Sequence, residues 1–206
     1  MIHVLAGVNG AGKSSIAGAA IRACGADWYN PDEIARAMHE QFPQRSLENI
    51  NSEVWEQGRR RLDDAIRNNV NLAFETTLGG ASITNSLLDA IAAGVAVSVW
   101  YCGLTSPELH IERVAARVAR GGHAIAEALI RSRCKTSMRN LCRLARGLHQ
   151  LAVHDNSTPL DERGRPDIRR VLHVVDHEIR HLDESMPAWA KPVAAVCLNQ
   201  LPSTDC

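Results

Sequence analysis

Gly7-Val8-Asn9-Gly10-Ala11-Gly12-Lys13-Ser14 stands almost at the start of the chain and matches G-x-x-x-x-G-K-[ST], the phosphate-cradling P-loop. Outward from it, Ile2 to Ala6 reads as a short buried parallel strand and Ser15 to Ala23 as the helix that follows. Glycines at 7, 10 and 12 let successive backbone amides turn inward toward phosphate oxygens. The N-terminus of the next helix adds its partial positive charge. Lys13 is a point charge for the β- and γ-phosphates, and the Ser14 hydroxyl is a ligand for Mg²⁺. Asn9, Ala11 and Ser15 complete the loop residues expected against a nucleotide. The fold expected is α/β: a three-layer P-loop NTPase fold whose mostly parallel sheet is flanked by helices.

A chain of 206 residues is the size of one α/β domain, with the motifs inside 1–157 and an edge strand and tail over 158–206. Formal net charge is zero, so nothing global draws the protein to nucleic acid or membrane. Only Lys13, Lys135 and Lys191 are lysines; arginine, the better fork for phosphate, supplies the other cations. Six cysteines show no C-x-x-C and no paired Cys/His spacing, which reads as reduced core thiols. No signal peptide precedes the first strand and no apolar run is long enough to span a bilayer, so a cytoplasmic protein is expected.

Asp27-Trp28-Tyr29 can form a second strand, and Asn30-Pro31-Asp32-Glu33 opens a helix with Asn30 as cap. Asp32 either complements the helix dipole or takes the proton of an acceptor hydroxyl. Leu47 to Arg67 is a long helix, with Arg59, Arg60 and Arg61 solvated. Val70 to Phe74 is a strand leading into Glu75-Thr76-Thr77-Leu78-Gly79-Gly80, where α/β folds place ligand chemistry. Glu75 is an indirect Mg²⁺ holder or a clamp on the acceptor, beside Thr76 and Thr77. Val95 to Tyr101 is the clearest buried strand. The helix opened by Ser106-Pro107 carries Arg113, Arg117 and Arg120 on one stripe, with Ile111, Val114, Ala115 and Val118 on the other side. It ends at Gly121-Gly122-His123, before a helix from Glu127 toward Gln150 with Arg131 and Arg133 in its first turns. That is either the design of a lid whose guanidiniums close over a transferring phosphoryl, the reading favoured, or an ordinary cationic helix face. Leu151 to His154 reads as a last core strand, Val171 to Val175 as an antiparallel edge strand, and Pro187 to Ala190 as a short helix before a frayed tail.

The series G-V-N-G-A-G-K-S, N-P-D-E-I-A, F-E-T-T-L, E-R-V-A-A-R-V-A-R-G-G-H and D-N-S, covering about Met1 to Ser157, resembles the zeta-toxin-like P-loop kinases of bacteria. The resemblance implies a Mg²⁺-dependent transfer of the ATP γ-phosphoryl to the 3′-hydroxyl of UDP-N-acetylglucosamine, and a small antitoxin partner. It implies Asp32 as base, Glu75 as the acceptor-contacting glutamate and Lys13 as the P-loop lysine. Arg113 and Arg120 fall near the family's phosphate-binding arginines, with Arg117 on the nucleotide and Arg131 on the substrate. Ala126 and Arg131-Ser132-Arg133-Cys134 depart from the proline and Arg-Arg-Arg-Tyr-like run of many relatives. A kinase for another small alcohol, an antibiotic or a nucleotide is the alternative, and a non-catalytic nucleotide switch a third reading. GTP is the alternative donor, although the chain has no Asn-Lys-x-Asp guanine reader.

Overall fold

The computed structural model describes residues 1–13, 26–159 and 167–199. Ser14, Ser15, the helix expected over Ser15 to Ala23, and most of the turn expected over Pro159 to Asp167 lie outside the described residues. Strands β1 (Ile2–Ala6), β2 (Asp27–Tyr29), β3 (Leu72–Thr76), β4 (Val97–Gly103), β5 (Gln150–Asp155), β6 (Arg169–Val175) and β7 (Glu178–Leu182) form one sheet in the order β2-β3-β1-β4-β5-β6-β7. The pairs from β2 through β5 are parallel and the last two are antiparallel. The helices are α1 (Pro31–Gln41), α2 (Leu47–Asn68), α3 (Ala81–Ala92), α4 (Pro107–Val118), α5 (Glu127–Ala145) and α6 (Lys191–Leu198).

The central strands are apolar on both faces, as strands covered on both sides must be. One face of the sheet packs with Ile50, Val54 and Leu62 of α2, Leu87 of α3, Leu141 and Leu144 of α5, and Val193 of α6. Leu5 and Ala73 belong to a separate cluster with Trp28 and Trp100. Register carries the functional residues to one edge: Leu5 pairs with Glu75, Ala6 with Thr76 and Tyr101, and Gly103 with Asp155. The carboxyl ends of β1, β2, β3 and β5 therefore open side by side, which is where α/β sheets bind ligands.

Four details differ from the sequence reading. β3 and β4 begin two residues later than expected, because Val70 and Val95 complete the preceding helix ends through bonds to the Ala65 and Ala90 carbonyls. β6 is not the edge; β7, whose residues are mostly exposed and mostly polar, pairs outside it. Ala115 and Val118 are exposed rather than turned into the core. The expected frayed tail begins as helix α6, which buries Val193, Ala194 and Cys197. Trp189 sits ahead of it against Gly103, where a Cβ would meet the ring at 2.5 Å, and donates its Nε1 proton to Asp155 Oδ1 at 3.1 Å. Among the described residues no helix is long and apolar enough to cross a membrane.

Candidate active site

The loop after β1 turns on glycines with left-handed backbone. At Gly12, with φ of +85°, a Cβ would lie 2.4 Å from Asn156 Nδ2. At Gly7, with φ of +143°, it would lie 2.2 Å from the Cys102 carbonyl oxygen. Neither place admits a larger residue without moving backbone or a buried amide. Asn156, just past β5, donates its Nδ2 proton to the Ala11 carbonyl at 2.9 Å. Below the loop, buried His110 of α4 bonds the Asn9 carbonyl through Nδ1 at 2.8 Å. A carbonyl only accepts, so Nδ1 carries the proton. Burial pushes the imidazole down to about 4, with Lys13 and Arg113 acting in the same direction, so it is neutral at physiological pH.

Lys13 is buried, donating to the Gly7 carbonyl at 2.9 Å and lying 3.4 Å from Glu75 Oε1. Glu75 is buried at the end of β3, and desolvation raises its carboxyl above the usual range even though the Lys13 charge opposes the shift. Its other oxygen accepts from Asn30 Nδ2 at 3.2 Å. Asn30 has a double role. Its Oδ1 caps α1 by accepting from the amides of Asp32 and Glu33 at 3.0 and 3.3 Å, while its Nδ2 fixes Glu75. The cap was legible in the sequence; the bridge needed the parallel register of β2 against β3.

Two cavities flank this cluster. One, of about 440 Å³, is lined by loop residues Gly10 and Gly12, by Glu33 and Arg36 of α1, by Arg113 and Arg117 of α4, and by Arg120 in the turn just past it. The other, of about 450 Å³, is lined by Tyr29, Trp55, Phe74, Ile83 and Leu129 among hydroxyls that include Thr76 and Thr77, with Arg133. Asn9, Lys13, Asn30, Asp32 and Glu75 line both. The arginine stripe read from the sequence thus lies over the loop. Arg36, which that reading did not single out, joins it. Arg117 donates to the His123 carbonyl at 3.0 Å, and the His123 side chain lines neither cavity.

Arg131, expected on the substrate, lines neither cavity; it is exposed and pairs with Glu108 at 2.5 Å. Arg133 lines the larger cavity instead. The helical stripe of buried Ile130, Ser137, Leu141 and Leu144 passes through position 133 or 134 and not 131, a signal present in the sequence. Ser137 and Asn140 on that stripe hold the loop after β3. Ser137 donates to the Thr77 carbonyl at 2.6 Å, and Asn140 donates to the Leu78 and Gly80 carbonyls at 2.8 and 3.2 Å. Leu78 has φ of +51°, a strained value for a branched residue, which these bonds stabilise.

Among the described residues no group of three or more His, Cys, Asp or Glu side chains is arranged to hold a metal ion. The oxygen donors present nevertheless suit Mg²⁺, which binds through one or two protein oxygens and the phosphates of its nucleotide. Glu75 is the buried carboxylate at this point, with one oxygen toward Lys13 and the other toward Asn30, and Ser14 lies outside the described residues.

Residues 2–144 match the AAA_33 family, described as an AAA domain, and the chain belongs to that family. Its fold is the P-loop kinase-like arrangement of helices on a mostly parallel sheet. A protein of Haemophilus influenzae, itself described only as uncharacterized, is 31% identical over 134 residues, covering 62% of this chain and 87% of its own. The crystal structure of AvrRxo1-ORF1:AvrRxo1-ORF2 with sulphate ions is similar at TM-score 0.67 and 16% identity, covering 100% of this chain and 66% of that one. The same pair has been solved with ATP. The PezAT chromosomal toxin–antitoxin system of Streptococcus pneumoniae gives TM-score 0.53 at 14% identity, covering 81% of this chain and 70% of that one. The chain therefore spans about two thirds of the AvrRxo1 chain it matches.

Proposed function

We propose that this protein is a kinase that moves the γ-phosphoryl of ATP onto a hydroxyl of a small molecule, with a UDP-sugar such as UDP-N-acetylglucosamine the leading acceptor. The observation that carries the reading is the shared wall: a cationic cavity over the P-loop and an apolar cavity beside it meet at Lys13, Asp32 and Glu75. A donor and an acceptor placed on either side of that wall would meet there and nowhere else.

The loop amides and Lys13 hold the β- and γ-phosphates. Asp32 takes the acceptor proton as the acceptor oxygen bonds to the γ-phosphorus. The bond from that phosphorus to the β–γ bridging oxygen breaks, and ADP leaves. Glu75, fixed by Lys13 and Asn30, orients the hydroxyl. Arg113 and Arg120 stabilise the charge spread over the equatorial oxygens while Arg117 binds the nucleotide. Bound with the nucleotide, Mg²⁺ neutralises phosphate charge. ATP as donor implies a cytoplasmic site of action. The toxin–antitoxin neighbour supports a small protein partner, and such a partner would act by covering the cationic cavity.

The test is a mass-spectrometric screen with Mg-ATP against UDP-N-acetylglucosamine, other UDP-sugars, nucleoside monophosphates and aminoglycosides. One added phosphoryl on a UDP-sugar is expected, with the rate in Asp32→Asn lower by about 10²–10⁴-fold and ATP binding kept. Phosphorylation of a different acceptor replaces the substrate and keeps the mechanism. No product with ATP bound refutes the kinase.

A further inference from the structure

Among the described residues, Arg133 is the cation that lines the acceptor-side cavity away from Lys13. Its Nη1 donates to Asn9 Oδ1 at 2.7 Å, and the rest of the guanidinium has no protein partner among the described residues. The side chain is half-buried. Desolvation lowers its proton affinity, opposed by the charge of Asp32, yet a guanidinium stays ionised. An ionised group that has left part of its water and keeps unspent donors calls for an anion. The place is built: a Cβ at Gly79 would lie 2.9 Å from Arg133 Cγ, so the stem rests on the turn that Ser137 and Asn140 pin. Trp55 and Leu129 line the same cavity while remaining 46% and 44% exposed.

We propose that Arg133 seats an anionic group of the acceptor, a phosphate or carboxylate, so that the substrate is an anionic alcohol whose planar or apolar end lies along Trp55. The inference rests on the kinase reading and adds to it the residue that selects by charge. The bond from Arg133 to Asn9 ties this anion seat to the phosphate loop, which fixes the spacing between the acceptor's anion and the transferred phosphoryl.

The test uses matched probes that differ in one anionic group: uridine with uridine 5′-monophosphate, and adenosine with adenosine 5′-monophosphate. Each is titrated calorimetrically into full-length protein holding a non-hydrolysable ATP analogue, and each is assayed for phosphoryl transfer with Mg-ATP. The wild type is expected to favour the anionic member of at least one pair by about tenfold or more. Arg133→Met should level that preference, Arg133→Lys should restore part of it, and the affinity for the ATP analogue should move less than about twofold in either. Equal affinity within every pair, no binding of any probe, or a larger loss for the ATP analogue than for the probe overturns the inference. Charge-selective binding without transfer would discard the kinase and keep Arg133's role; transfer without charge selection would do the reverse.

Discussion

The two cavities share one wall and little else. On the α4 side, four arginines and the glycine loop make a surface that is cationic and polar. On the α5 side, aromatic and aliphatic groups surround a row of hydroxyls and one arginine. A triphosphate presents much the same charge whatever molecule carries it, so guanidiniums and backbone amides would suffice for the proposed donor. An acceptor is distinguished by shape, and shape is read by packed apolar walls with a few placed polar groups. The cationic side is built around a local motif, and the apolar side from strands and helices far apart in the chain that meet only after folding.

Cutting into the cationic side should give the larger effect. Arg113→Ala is expected to lower kcat by about 10²–10³-fold while leaving the acceptor KM near the wild-type value. A rise in acceptor KM with unchanged kcat would blur the division between the cavities. Cutting the support of the other side should read differently. Asn140→Ala leaves the Leu78 and Gly80 carbonyls without their buried donor and should cost about 1–3 kcal/mol in urea unfolding. It should raise acceptor KM and spare ATP affinity.

Acid separates the support beneath the loop from the wall the cavities share. His110, neutral when folded with its pKa at about 4 against 6.5 when unfolded, adds stability that is complete above pH 6.5 and is lost as pH falls toward 4. The loss is on the order of 3 kcal/mol. Glu75 runs the other way: its raised folded pKa makes its contribution fullest below the unfolded value of 4.5 and erodes it as pH climbs through the raised value. Thermal melts across pH should therefore lose their acid limb in His110→Gln and their rise toward acid in Glu75→Gln. The smallest effect is expected at Arg131→Ala, which breaks an exposed pair with Glu108 and should leave melting and acceptor kinetics at wild-type values.

The same contrast explains what could be read in advance. The P-loop, the arginine stripe and the Glu75 corner are short segments whose chemistry is spelled by adjacent or helically spaced residues. Most strands and helices could be placed along the chain from apolar runs and caps such as Asn30 and Ser106, whereas the order of strands in the sheet could not. The acceptor wall was not legible. Tyr29, Trp55, Ile83 and Leu129 come from β2, α2, α3 and α5, and each reads alone as ordinary packing. Arg131 was singled out in place of Arg133, although counting turns from Ile130 separates the two. His110 holds the loop from more than ninety residues away, a distance at which pattern carries no information, while Asn156 stood in the D-N-S stretch with no role of its own assigned.

The margins of the sheet bear on how the chain behaves in a crowded solution. At one margin β2 is three residues long, with Asp27 tied to Arg61 of α2 at 3.1 Å. At the other, β7 presents Glu178 and Arg180, paired at 2.7 Å, beside His181, and the register breaks by a residue where β6 meets it. Short, charged and irregular borders are poor templates for a further strand. Neither border invites polymerisation, and copies of the chain can accumulate without joining sheet to sheet.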